Sequence, residues 1–170
     1  MTCSGYVMTS YFMTLWIGFA AICPPTPRFV WNMSASVPIG LYQLTALNQL
    51  KPGDLVVAHP PTALARYMNV RRYLAANVPL LKHIAALRGQ TVCRHGLAII
   101  IDGRIVAMAR EADQLGRSLP HWDGCHRLKA GEVFLLNVGV SDSFDGRYFG
   151  VLPATALISR ARPLWTRNAR

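Results

Sequence analysis

The longest apolar run in the chain comes first. From Tyr6 to Cys23 (YVMTSYFMTLWIGFAAIC) the interruptions are the hydroxyls of Thr9, Ser10 and Thr14, and no Lys, Arg, Asp or Glu precedes Arg28. At 1.5 Å per residue such a run reaches about 27 Å as a helix, close to the hydrocarbon core of a bilayer at about 30 Å, so it predicts an uncleaved membrane anchor. A cleaved signal peptide would need a basic n-region and a small-x-small cleavage site, neither of which is convincing here. A buried core helix is the third reading. Pro24-Pro25-Thr26-Pro27 cannot continue a helix, which divides an anchor and linker (1–27) from a body (28–170) with a basic C-terminal tail.

In the body the pattern is mostly that of strands. Leu55 to Val57, Leu97 to Ile101, Arg104 to Met108 and Val133 to Leu136 are short apolar runs, rich in β-branched residues and bounded by Gly, Pro or Asp. Asp102-Gly103 between two of them predicts a two-residue hairpin. Val78 to Leu87 is apolar on both sides of a single lysine, which suits a buried strand. Leu50-Lys-Pro-Gly-Asp-Leu-Val-Val and Leu128-Lys-Ala-Gly-Glu-Val-Phe-Leu share a pattern of turn then strand. Only Pro61 to Ala76 reads as a helix, with Leu64, Met68, Arg71 or Arg72, and Ala75 at helical spacing and Thr62 placed to cap its start. The expected fold is a mainly β, antiparallel domain with one helix behind an N-terminal transmembrane helix.

Composition narrows the function classes. Hydrophobic residues at 52% against 15% charged exclude a disordered chain, and 170 residues exclude a large multi-site enzyme. Eighteen basic and eight acidic residues leave +10, a field that favours nucleic acid or acidic lipid. Arg28, the first charge after the anchor, would by the positive-inside rule place the body in the cytoplasm, on the strength of one residue.

Two places can carry chemistry. Lys51 and Lys129 sit in Gly-containing turns beside acidic residues, whereas Lys82 stands between Pro79-Leu80-Leu81 and Ile84-Ala85-Ala86-Leu87. Burial there disfavours the ammonium and lowers its pKa, and a neutral amine is a general base. The ordinary alternative is a lysine that snorkels to solvent or pairs with an Asp. The candidate nucleophile lies in Asn32-Met33-Ser34-Ala35-Ser36-Val37-Pro38-Ile39-Gly40, where Pro38 and Gly40 bend the backbone beside Ser36, and Ser34 offers a second oxyanion donor. Alone, this stretch reads equally as a plain turn.

Together, Ser36-Val37-Pro38-Ile39-Gly40, Lys82-His83-Ile84-Ala85-Ala86-Leu87-Arg88-Gly89 and Ser143-Phe144-Asp145-Gly146-Arg147-Tyr148-Phe149-Gly150, in that order behind an apolar N-terminus, resemble the membrane-anchored type I signal peptidases. The Ser-Val-Pro-x-Gly-Leu-Tyr form and the pair Cys93 and Cys125 look closest to the TraF-like branch encoded with conjugative transfer systems. The resemblance implies a Ser/Lys dyad, with Ser36 as nucleophile and Lys82 as base. It further implies Ser34 and the Ser36 N–H as oxyanion donors, Ser143 as the hydroxyl that orients the lysine, and Asp145 with Arg147 as a brace. Two departures stand out: Val138-Gly139-Val140 replaces a Gly-Asp-Asn, and Gly146 replaces the usual Ser before Arg147. The branch implies a single-pass inner-membrane protein with its body in the periplasm and no cofactor. Its implied partners are membrane lipid, other conjugative components and an exported substrate, a pilin precursor whose cleavage is coupled to cyclisation. No nucleic-acid partner is expected.

In an oxidising compartment Cys93 and Cys125, the only cysteines of the body, are expected to form a disulfide. Zinc remains open as an alternative, since Cys93, His95, His121, Cys125 and His126 are possible ligands in a spacing that fits no familiar zinc pattern. A competing function is a non-catalytic basic component of a DNA-transfer apparatus, suggested by Arg71-Arg72 and by Arg160, Arg162, Arg167 and Arg170, although no nucleic-acid-binding motif accompanies them.

Overall fold

The computed structural model describes residues 3–22 and 27–167. Cys23, the Pro24-Pro25-Thr26 break and Arg170 lie outside the described residues. Helix α1 (Cys3–Ile22) runs through the predicted anchor without a charged residue. Even so, among the described residues no helix is long and apolar enough to cross a membrane. Ser4, Gly5, Thr9, Ser10 and Thr14 dilute its hydropathy. Two of these hydroxyls are returned to the helix itself, Thr9 to the Gly5 carbonyl at 2.6 Å and Thr14 to that of Ser10 at 2.8 Å.

The body is antiparallel β, as the pattern predicts. Its strands are β1 (Phe29–Asn32), β2 (Ile39–Thr45), β3 (Leu55–Ala58), β4 (Leu80–Ala86), β5 (Thr91–His95), β6 (Ala98–Ile101), β7 (Arg104–Met108), β8 (Gly124–Arg127), β9 (Glu132–Leu135), β10 (Leu152–Pro153) and β11 (Leu157–Arg167). Seven form one sheet in the order β1-β2-β11-β3-β4-β9-β10, and four form a second in the order β7-β6-β5-β8. The two turn-then-strand segments become β3 and β9, which flank β4 on either side. The Asp102-Gly103 turn joins β6 to β7 as expected, with both residues at positive φ.

Three expectations are corrected. The helix over Pro61 to Ala76 is shorter: α2 spans Thr62–Val70, its N-cap is Pro61, and no side chain caps it. The chain leaves the helix at Arg72, whose φ of 59° is left-handed, so that the Arg72 N–H reaches the Asn69 carbonyl and the Tyr73 N–H that of Met68. Tyr73 is thereby turned onto Phe144, 5.0 Å between ring centroids, a tertiary contact that helical spacing cannot encode. Nor is α2 alone in the body, because α3 (Gly146–Phe149) and a 3-10 turn at Ala154–Ala156 follow β9. The expected basic tail is a strand as far as Arg167: β11 lies between β2 and β3, with Leu157, Ser159 and Ala161 buried and Arg160 paired with Asp54.

The core explains why β4 sits where it does. Leu80 and Ile84 pack with Val56, Ala58, Met68, Val133 and Leu135, while Leu81 joins Val37, Tyr42, Val57 and Ala161. Ala86, Val92, Ile99, Phe134 and Leu136 link the two sheets in a further cluster. One glycine is required by a close approach: a Cβ at Gly40 would stand 2.1 Å from the Trp165 carbonyl oxygen, so β2 and β11 could not pair with any side chain there.

Cys93 and Cys125 form a disulfide, as expected, from directly opposed positions of β5 and β8. Their sulfurs are therefore not free thiolates for zinc. Of the histidines weighed as ligands, only His95 groups with the two cysteines, and His126 pairs instead with Glu132 at 2.8 Å. Opening the bridge, which spans 32 residues, should lower stability by about 2–4 kcal/mol. The check is the thermal midpoint with and without dithiothreitol, beside a Cys93→Ser/Cys125→Ser variant.

Candidate active site

Four of the six site residues expected from sequence line one cavity of about 970 Å³: Ser34, Ser36, Lys82 and Ser143. They come from three places in the fold: the turn between β1 and β2, strand β4, and the loop before α3.

Ser34 and Ser36 sit on the turn between β1 and β2. Asn32, at the end of β1 and buried, organises that turn from inside. Its amide nitrogen donates to the carbonyls of Ser34, Val37 and Pro38 at 2.8, 3.2 and 3.1 Å, and its oxygen accepts from the Ser34 N–H and Oγ at 3.1 Å each. The Tyr42 hydroxyl donates to the Pro38 carbonyl at 2.6 Å. The two hydroxyls are 3.0 Å apart, and Ser36 is half-buried where Ser34 is exposed.

Lys82 is carried by β4, directly opposite Val56 and on the same face as Leu80 and Ile84. Only 4% of it is exposed, and its ammonium nitrogen donates to Ser143 Oγ at 2.7 Å. Burial lowers the pKa of this lysine to about 8; the Asp145 carboxylate pulls it up and the Arg147 guanidinium pushes it down, both more weakly. Ser36 and Lys82 line the same cavity, and no hydrogen bond joins them among the described residues.

Asp145 and Arg147 stand behind the cavity. They form a fully buried ion pair at 2.8 Å with relative exposures of 0% and 2%. Asp145 also accepts from the Asn137 N–H at 3.1 Å and caps α3 by accepting the Arg147 N–H at 3.2 Å. Arg147 donates to the carbonyls of Val140 at 2.6 Å and Ser143 at 3.3 Å, so the pair holds the loop that presents Ser143 to Lys82. Arg94, buried at 3%, grips the Arg147 carbonyl at 2.6 Å. Gly146, one of the two departures, has a physical reason: a Cβ there would be 2.6 Å from the Leu135 carbonyl oxygen and 2.7 Å from the Phe134 ring.

Asn137 went unseen in the sequence. It is 2% exposed and lies at the centre of the site, donating to the Ser36 carbonyl at 2.8 Å and accepting from the His83 N–H at 3.1 Å. It therefore ties the serine turn to the residue after Lys82. The available signal was a lone amide at the end of an apolar run, Phe134-Leu135-Leu136-Asn137, and the same signal marks Asn32 after Phe29-Val30-Trp31.

The sequence profile of the family described as "Signal peptidase, peptidase S26" matches residues 3–165. The chain belongs to this peptidase family. Similar proteins include the conjugal transfer protein TraF of Agrobacterium tumefaciens, 35% identical over 79% of this chain and 81% of its own length. Its counterpart in Agrobacterium fabrum is 33% identical over the same shares. A plasmid transfer protein TraF of Escherichia coli is 26% identical, again over 79% and 81%. A signal peptidase I of Enterococcus faecalis superposes on 68% of this chain and 98% of its own with a TM-score of 0.38 at 16% identity.

Proposed function

We propose that this peptidase is a membrane-anchored serine endopeptidase in which Ser36 is the nucleophile and Lys82 the general base. The observation that carries the reading is the pairing, in one cavity, of a braced serine with a buried lysine whose pKa is lowered to about 8. Ser36 Oγ attacks the scissile carbonyl while Lys82 accepts its proton, and the resulting ammonium returns a proton to the leaving amine. The bond that Lys82 donates to Ser143 Oγ fixes the amine so that its lone pair, when neutral, is turned toward Ser36. The tetrahedral oxyanion is met by the Ser36 N–H, which has no acceptor among the described residues, and by the Ser34 hydroxyl once it rotates its proton away from the Asn32 oxygen. The Asn137 amide keeps the Ser36 carbonyl turned away from that charge. Asp145 and Arg147 act one layer behind, holding Ser143 in place.

Several features support a position at the bacterial inner membrane with the body on the periplasmic side. α1 is uncharged and mostly apolar, its Ser and Thr hydroxyls aside, and its described side chains are exposed throughout apart from the half-buried Gly5. Phe29, Trp31 and Trp165 are each more than half exposed near the start of the body, with the two indoles 5.6 Å apart, as suits aromatic rings at a lipid interface. The disulfide suits an oxidising compartment. Likeness to conjugal transfer proteins over most of the chain supports a substrate within a conjugative system, an exported pilin precursor whose cleavage is followed by cyclisation. The test is to co-express the precursor encoded beside this chain with wild-type enzyme or with Ser36→Ala and to weigh the product. Processing by both forms, or by neither, overturns the reading.

A further inference from the structure

The cavity that holds Ser36 and Lys82 carries more charge than hydrolysis requires. Besides Lys82 its lining includes Arg71, Arg72, Arg110 and Arg117, against Asp113 and Asp142 alone. Two of these cations are neutralised within the fold. Arg110 pairs with Asp142 at 2.5 Å and Arg117 with Asp113 at 2.7 Å. Arg71 is engaged without a carboxylate, since its guanidinium donates to the Ser118 carbonyl at 3.0 Å and lies 5.1 Å from the centre of the Tyr67 ring.

Arg72 is different. Among the described residues its guanidinium has no partner, although its backbone is tightly held in the left-handed region at the end of α2. The strap that follows β7 is fastened over this corner, with the Tyr73 hydroxyl donating to Asp113 at 2.6 Å and Arg117 to the Arg71 carbonyl at 3.1 Å. A fixed backbone with an unpaired cation on a partly apolar groove is suited to an anionic group delivered by whatever fills the groove. For a peptide, that group is a carboxylate.

We infer that Arg72, backed by Arg71, is a specificity residue that binds a carboxylate of the peptide substrate, supplied by an Asp or Glu side chain or by the C-terminus of the chain. This rests on the peptidase reading above and adds to it a substrate class. Guanidinium and carboxylate match as planar, bidentate partners, so the contact fixes register along the groove as well as adding affinity.

The experiment uses the full-length protein in detergent with a mixed peptide library, read by mass spectrometry. One half of the library has free C-termini and the other half amidated ones. Wild type should prefer Asp or Glu at one fixed distance from the cleaved bond by about tenfold in kcat/KM, or else lose cleavage of amidated peptides by the same factor; the two results identify the source of the carboxylate. Arg72→Glu should reverse the preference toward Lys or Arg at that position. Arg72→Asn, whose residue tolerates the left-handed backbone, should abolish it through KM. Cleavage dependent on Ser36 with neither an acidic preference nor any sensitivity to C-terminal amidation would overturn the inference while leaving the peptidase reading intact. Absence of any cleavage dependent on Ser36 would overturn both. An unchanged preference in Arg72→Glu, together with lost retention on phosphatidylglycerol vesicles, would assign the cation to lipid and refute the proposal.

Discussion

Lys82→Arg should abolish precursor cleavage as completely as Ser36→Ala, lowering kcat/KM by about 10³ or more, and the double variant should be no worse than either single one. The substitution keeps the positive charge and much of the bulk, but a guanidinium is not deprotonated in any usable pH range. For the wild-type enzyme the same logic sets a pH profile. Lys82 accepts a proton only when neutral, so activity should climb as pH rises through about 8. Stability moves the same way. The folded pKa lies below that of an unfolded lysine, so between about 8 and the unfolded value near 10.4 the unfolded chain binds more protons and stability increases with pH. Below that window the full penalty of burying an ammonium is present. Lys82→Met removes it, and should therefore give an inactive protein with a higher thermal midpoint at pH 7 and a smaller advantage at pH 10. An inactive Lys82→Met that is also less stable would mean that the lysine holds the fold together and is not a strained base.

How much of this was legible in the sequence follows from the range of the forces involved. Lys82 was legible because its burial is written locally, in the apolar residues on either side of it. The strands of the second sheet were legible for the same reason, since Ile99 to Ile101 and Ile105 to Val106 are β-branched and bounded by Asp102-Gly103. β11 was not, because its inward positions are Leu157, Ser159 and Ala161 while Arg160 and Arg162 alternate with them, and arginines in a C-terminal stretch read as a solvated tail. What makes it a strand is pairing with β2 and β3, more than 90 residues away. The early end of α2 has a similar origin, since Tyr73 is held by Asp113 and Phe144. Asn32 and Asn137 illustrate a subtler limit. A single amide after an apolar run is unremarkable until the fold brings the two turns together, and only then does its hydrogen-bonding capacity become the scaffold of the site.

Asp145 and Arg147 supply the second large effect, because each is buried with the other as its counter-ion. Removing one partner of such a pair leaves an uncompensated charge in the interior, at a cost of about 3–5 kcal/mol. Asp145→Ala should therefore lower the thermal midpoint by on the order of 10 °C or more, and it also removes the acceptors of the Asn137 and Arg147 backbone N–H groups. Loss of stability alone would not distinguish a brace for the site from an ordinary core ion pair. The electrostatics do. Asp145 raises the pKa of Lys82 and Arg147 lowers it. In the milder variants Asp145→Asn and Arg147→Met, measured well below their thermal midpoints, the activity profile should consequently move in opposite directions: toward lower pH where the carboxylate is lost and toward higher pH where the guanidinium is lost. Profiles that shift together, or that keep the wild-type midpoint while only the amplitude falls, would show that the pair supports the loop around Ser143 without influencing the proton that Lys82 must accept.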